Sequence, residues 1–245
     1  MIRAALVTIA GLAATPLAAV ECRDLTHDDN AYTVCDVDTA TEDLRLFLND
    51  EDGTLLGQFS TIDVQLEQSG ETLVFAMNAG MYHSDRSPVG HYVENREETM
   101  RVITNAGPGN FGLLPNGVFC IRENRADVFE TLTFVDQKPD CRDATQSGPM
   151  LVIDGELHPR FLVDSNSRYI RNGVGTNADG SRAVFAISHG TVTFHEFGRL
   201  FRDELEMAQA LYFDGNISRL YAPQLRRHDA GFAMGPVVGV VRKAQ

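Results

Sequence analysis

A chain of 245 residues with 21 Lys and Arg against 34 Asp and Glu has a formal charge of −13, which argues against nucleic acid or an anionic membrane surface as partner, since both reward clustered basic side chains. Hydrophobic residues make up 43% of it, and no low-complexity linker divides it, so one domain with a sizeable core is the simplest expectation. An anionic small molecule stays compatible with the charge if one or two arginines are held in a polar site.

Met1-Ile2-Arg3 supplies a positive start, residues 4–12 an apolar run and Pro16-Leu17-Ala18-Ala19 a small-residue end. Together they read as a secretory signal peptide over residues 1–19, leaving a domain over residues 20–245. That apolar run is too short to span a bilayer, and no later stretch approaches the ~20 apolar residues a membrane helix needs. The expectation is a periplasmic or secreted protein with no stable membrane insertion. Cys22, Cys35, Cys120 and Cys141 form no CxxC pair, which favours disulfides over zinc or redox chemistry. Of the possible pairings, closeness in sequence favours Cys22–Cys35 and Cys120–Cys141.

Residues 32–37 and 44–48 run in the strand manner and read as an edge-to-centre pair, followed by turn residues 49–53. Residues 61–68 fit a short helix or a loop. A strand-like run over residues 72–77 stops at Asn78-Ala79-Gly80 and spills into Met81-Tyr82-His83-Ser84-Asp85-Arg86, so a buried element delivers polar side chains to a sheet edge. The Asn78 amide both donates and accepts, and Gly80 lets a ligand approach the main chain. The same residues would also serve as a plain strand-end turn.

Residues 91–95 read as a short strand and residues 107–110 as a loop. A hairpin is predicted for residues 117–121 and 126–129 across Arg122-Glu123-Asn124-Arg125, and another after residues 150–153 at the Asp154-Gly155 turn. A polar loop over residues 164–172 leads into Arg171-Asn172-Gly173-Val174-Gly175, and the turn at residues 177–181 precedes a strand over residues 183–188. Phe194, Phe197, Leu200, Phe201, Leu205 and Ala208 recur at helical spacing and predict one amphipathic helix over residues 193–210. With strands over residues 210–213 and 237–241, the fold class is α+β, a mixed or largely antiparallel sheet with few helices in a single domain.

Several polar residues punctuate these elements. Asp214-Gly215-Asn216-Ile217-Ser218 places a carboxylate at a strand end, where partial burial would raise its pKa or a cation would hold it ionised; Asp-Gly also simply makes turns. Arg171 offers a planar fork suited to phosphate or carboxylate, or a surface charge. His189, closing the strand over residues 183–188, could act as acid, base or donor to a sugar hydroxyl, or merely cap the strand. Tyr82, Phe111 and Tyr212 could stack on a sugar face or pack in the core. His83, Asp85 and His91 follow no metal-ligand spacing, so no metal and no cofactor is expected. GxSxG, HExxH and Walker-type patterns are absent from the sequence.

Taken in order, Asn78-Ala79-Gly80-Met81-Tyr82, Gln146-Ser147-Gly148-Pro149-Met150, Arg171-Asn172-Gly173-Val174-Gly175 and Asp214-Gly215-Asn216-Ile217-Ser218 resemble the phosphodiester glycosidase family over roughly residues 73–241. That family usually shows Asn-Gly-Gly and an aromatic pair at the first motif, from which Ala79 and Met81 depart. At the last it shows Asp, two or three glycines and Ser, from which Asn216 and Ile217 depart. The resemblance implies hydrolysis of a sugar-1-phosphodiester, with a carbohydrate or glycan-phosphate as partner. It gives Asp214 the role of nucleophile or general base, Arg171 that of neutralising the departing charge, and Asn78 and Ser218 that of orienting sugar or phosphate. His189 and Glu196 are candidates for a second proton-transfer group, and Gly80, Tyr82, Gly148, Pro149, Gly175 and Gly215 are expected to line the substrate site. The competing readings are a non-catalytic exported module that binds glycans or anionic glycolipid headgroups, which would tolerate loss of Asp214, and a structural protein whose turns happen to align.

Overall fold

The computed structural model describes residues 20–244, so the segment read as a signal peptide lies outside the described residues. The chain opens with β1 (Glu21–His27), β2 (Asn30–Asp38) and β3 (Asp43–Phe47), then α1 (Phe59–Glu67) and β4 (Glu71–Asn78). There follow β5 (Tyr92–Glu94), β6 (Glu97–Met100), β7 (Gly117–Arg122), β8 (Arg125–Glu130), α2 (Thr131–Gln137), β9 (Asp143–Ser147), β10 (Met150–Ile153) and β11 (Glu156–Leu157). The last part holds β12 (Asn172–Thr176), β13 (Arg182–Ser188), α3 (Phe194–Arg199), β14 (Gln209–Asp214), β15 (Leu220–Ala222), β16 (Arg227–His228) and β17 (Val237–Lys243).

Local chemistry explains the hairpins. Asp154 and Gly155 both have positive φ, 51° and 82°, the geometry of a two-residue turn whose twist matches the flanking strands, and β10 and β11 pair across it. The β7–β8 hairpin forms as the sequence predicts.

Strands associate in a seven-stranded sheet, β1-β2-β13-β12-β14-β10-β11, and two five-stranded sheets, β16-β15-β4-β17-β3 and β6-β5-β9-β7-β8. Antiparallel pairing joins the neighbours, which makes the fold α+β. One core serves all three sheets. Phe185 of β13 lies 4.9 Å from Phe75 of β4 and 5.8 Å from Phe119 of β7, and Phe119 lies 6.3 Å from Phe213 of β14. Each of these rings is 0% exposed, and full burial of such a side chain stabilises by about 1.5–3 kcal/mol. Cys22 pairs with Cys35 across β1 and β2, and Cys120 with Cys141, as expected. No helix among the described residues is long and apolar enough to cross a membrane.

Two expectations are corrected. β2 and β3 do not pair: β2 is bonded along its length by β1 on one side and β13 on the other, leaving no free edge, so β3 joins β17 in another sheet. The helix expected over residues 193–210 is shorter. Thr193 and Glu196 form a reciprocal capping box at its start, but beyond Arg199 it widens into a π-turn, Leu200–Glu204, closed by the Leu205 amide on the Leu200 carbonyl. Glu206 then takes a left-handed conformation, and residues 209–214 pair in the sheet instead. Phe197, Leu200, Phe201 and Leu205 are buried and Phe194 and Ala208 partly so, while Phe201 and Met207 close onto Gly175.

β4, β12 and β14 bring their polar ends to one rim. Asn172 stands opposite Asp214 in the β12–β14 register, and Asn78 opposite Val237 in the β4–β17 register. The seven-stranded sheet and one five-stranded sheet converge there.

Candidate active site

At this rim two fully buried asparagines join the sheets. Asn172 Nδ2 donates to Asn78 Oδ1 at 3.0 Å and to the Asn78 carbonyl at 2.9 Å, while Asn78 Nδ2 donates to the Ile217 carbonyl at 2.7 Å and to Asn172 Oδ1 at 3.3 Å. The oxygens work as well: Asn172 Oδ1 accepts the Asp214 amide at 3.2 Å and Asn78 Oδ1 the Arg219 amide at 2.9 Å. Buried amides satisfied on every side are rigid. The pair therefore fixes the loop from Asp214 to Arg219, and Ser218 Oγ adds a bond to the Ile170 carbonyl at 3.1 Å. Asn78 spends its hydrogen-bonding capacity inside the protein.

Asp214 is 8% exposed, and its Oδ1 accepts the amides of Gly215 at 2.6 Å and Asn216 at 2.9 Å. Burial pushes this carboxyl above the ordinary aspartate value, against the pull of the Asn216, Gly215 and Ile217 amides. Among the described residues only backbone amides of its own loop bond this carboxylate, and no side chain does. Beside it opens a cleft of about 430 Å³, lined by Asp214, Gly215 and Asn216, by Met81 and Tyr82, by Asn110 and Phe111, and by Tyr169 and Tyr212. Asp214 is the one carboxylate lining this cleft among the described residues. Gly215 is needed here because a Cβ would fall 2.1 Å from the Tyr212 hydroxyl.

Arg171 lies behind this wall. Its guanidinium carbon is 3.6 Å from the Phe194 ring centre, 5.3 Å from that of Tyr212 and 5.5 Å from that of Tyr169, a packing worth about 1–2 kcal/mol per desolvated cation–π contact. Nε donates to the Val192 carbonyl at 2.9 Å and Nη2 to the Ser167 carbonyl at 3.0 Å. Nη1 and the Tyr212 hydroxyl are close enough to perturb each other electrostatically, yet neither makes a well-formed hydrogen bond. Arg171 thus supports the aromatic wall and does not line the cleft. The sequence suggested a ligand loop at residues 171–175, but these residues enter the buried strand β12. Gly173 makes room for the Leu211 carbonyl, 2.4 Å from where its Cβ would stand, and Gly175 for Met207 at 2.5 Å.

The other candidates divide. Tyr82 and Gly215 line the cleft. Gly80 packs against Thr145, and Gly148 makes room for Asn116, while Pro149, after a cis bond, accepts the Tyr212 amide at 3.1 Å. These three hold the neighbouring strands. His189 is elsewhere, its Nε2 2.8 Å from Thr33 Oγ1 and 3.5 Å from Asp24. Glu196 is spent on capping α3 and on an ion pair with Arg168 at 2.9 Å. Burial pushes its carboxyl up, but the Thr193 amide and Arg168 outweigh burial and hold it below the ordinary value. Neither His189 nor Glu196 joins Asp214 in the cleft. Asn172 and Arg219 lie within or next to the sequence motifs, and Tyr169 lies in the polar loop two residues before Arg171, a spacing that is the one signal for it in the sequence.

Residues 71–239 match the family model described as phosphodiester glycosidase. The uncharacterized protein YigE of Escherichia coli (strain K12) is 33% identical over 208 residues, 84% of this chain and 81% of its own. Among solved structures, the zebrafish N-acetylglucosamine-1-phosphodiester alpha-N-acetylglucosaminidase catalytic domain, auto-inhibited by its pro-peptide, aligns at a TM-score of 0.60 with 12% identity, over 91% of this chain and 82% of that one. A hypothetical protein from Synechocystis aligns at 0.60 with 12% identity, over 90% of this chain and 61% of its own. At such identities the two structures speak for a shared fold.

Proposed function

The chain belongs to the phosphodiester glycosidase family, and from that premise we propose that it is an exported hydrolase that cleaves a sugar-1-phosphodiester in envelope or extracellular glycans. The observation that carries this reading is the single carboxylate of the cleft, Asp214. An ordinary glycosidase needs a second carboxyl to protonate an alkoxide leaving group. A phosphate leaves as a stable anion and does not.

In this reaction the bond between the anomeric carbon and the phosphate oxygen breaks, and its electron pair departs with the phosphate. The Asp214 carboxylate either attacks the anomeric carbon, forming a glycosyl ester that water then hydrolyses to free the sugar and the carboxylate, or takes the proton of a water that attacks directly. Both roles require the ionised form, so activity should fall with acid on a limb displaced above the ordinary aspartate value of 3.8, in the direction burial shifts this group. The asparagine pair holds the loop, the exposed Tyr169 offers a face and a hydroxyl to the sugar, Tyr82 and Tyr212 complete the wall, and Arg171 lends positive charge through Tyr212. Two disulfides support export to an oxidising compartment, consistent with a periplasmic location.

The test is release of sugar or phosphate from a panel of sugar-1-phosphodiesters. Asp214→Asn should lose about a thousandfold in kcat/KM or more. Equal turnover by both proteins would remove Asp214 from the mechanism, and tight glycan binding without turnover in either would favour a binding module.

A further inference from the structure

We propose that Arg219 is the cation that recognises the substrate's phosphate, so that the phosphate lies on the Tyr82 side of Asp214 and the sugar on the side of Tyr169 and Tyr212. This rests on the hydrolase reading for the identity of the ligand.

Arg219 directly follows the Ser218 of the last motif, and its own amide is fixed by Asn78 at 2.9 Å. The residue is 6% exposed, yet its guanidinium makes no ion pair among the described residues, and Nη1 is buried with no hydrogen-bond partner. The acid whose charge it feels, Asp229, is already committed: its carboxylate accepts Arg227 Nη2 at 2.8 Å and the Leu220 amide at 3.0 Å. A buried guanidinium left without an acceptor is costly to hold. The surrounding chain is nevertheless shaped to hold it. Gly231, at φ 155°, lies so close that a Cβ would stand 2.1 Å from Nη2.

Tyr82 connects this charge to the cleft. Its ring is fixed between Gly235, where a Cβ would come within 2.7 Å, and the Arg86 guanidinium 5.4 Å from the ring centre. Tyr82 lines the cleft with Asp214, and the charges of Asp214, Arg86 and Arg219 all act on its hydroxyl, so Arg219 stands within electrostatic reach of the cleft wall. The other buried arginine is already answered, since Arg171 has two of its nitrogens on backbone carbonyls. Arg219 alone of the two keeps its fork free for an anion, and a phosphate oxygen pair is the acceptor that a guanidinium fork fits.

Calorimetric titration with inorganic phosphate and, separately, with a neutral monosaccharide tests the assignment. Arg219→Gln should weaken phosphate by roughly 10- to 100-fold and leave the sugar unchanged, and in turnover it should act chiefly on KM. Arg219→Lys, which keeps the charge without the planar fork, should lose less, and it carries the test if the Gln variant does not fold. Phosphate affinity unchanged in either variant, or sugar weakened as much as phosphate, overturns the assignment. If the native protein hydrolyses phosphodiesters but Arg219→Gln retains its KM, this proposal fails and the hydrolase reading stands. If phosphate binding depends on Arg219 while no phosphodiester is turned over, the reverse holds.

Discussion

Two carboxyls raised by burial invite comparison, the buried Asp214 at the strand rim and the partly buried Glu94 in β5. Burial raises both, Glu94 to about 7, and each has tyrosines nearby. Glu94 is answered from within: the Tyr92 hydroxyl donates to it at 2.8 Å, and the Leu48 backbone adds a further bond. Asp214 is bonded only by backbone amides of its own loop and lines a cleft with aromatic walls. A perturbed carboxyl therefore reports burial, and only an acceptor left open toward space reports a site.

The sharpest way to break this contrast is Asn172→Ala. It removes the side-chain acceptor of the buried Asp214 amide and the bonds Asn172 gives to the Asn78 carbonyl and Oδ1, and should cost about 2–4 kcal/mol in denaturant unfolding together with activity. A cost near zero would mean the rim is held by other contacts. Glu94→Gln should leave activity untouched and change the pH dependence of stability. Since the folded pKa of about 7 exceeds the ordinary glutamate value of 4.5, the folded state holds this proton more tightly, and stability should decline as pH rises from about 4.5 to 7. The Gln variant should lose that decline; an unchanged slope would reassign it to other groups. The smallest effect is on the melting temperature of Asp214→Asn. With its pKa raised in the folded state, ionised Asp214 destabilises the fold at neutral pH, so the neutral variant should melt slightly higher while being inactive. A lower melting temperature would point to a structural role.

What the sequence disclosed follows the range of the forces involved. Hairpins such as β10–β11 were legible because turn chemistry is local, and the disulfides because their partners are near in sequence. The ordered motifs led to Asp214 and Tyr82. Sheet membership was not legible, since β2 and β3 are adjacent in the chain but β2 has both edges taken by strands elsewhere. Nor could the two arginines be ranked: whether a guanidinium is satisfied depends on carbonyls such as Val192, 21 residues from Arg171. His189 was similarly engaged by Thr33, 156 residues away. Gly173 and Gly175 looked like ligand-approach glycines because packing and binding demand the same missing Cβ.

The pairing of β17 with β4 bears on when the protein becomes competent. Val237 sits opposite Asn78, and the Pro236 carbonyl accepts the Ala79 amide at 2.8 Å, so the first motif is clamped by residues made more than 150 positions later. Until they arrive, β4 lacks its partner on the β17 side, and the Ala79 amide beside the asparagine pair lacks its acceptor. A chain that has not yet formed β17 would thus carry Asp214 and Tyr82 without the paired edge that fixes the first motif beside them.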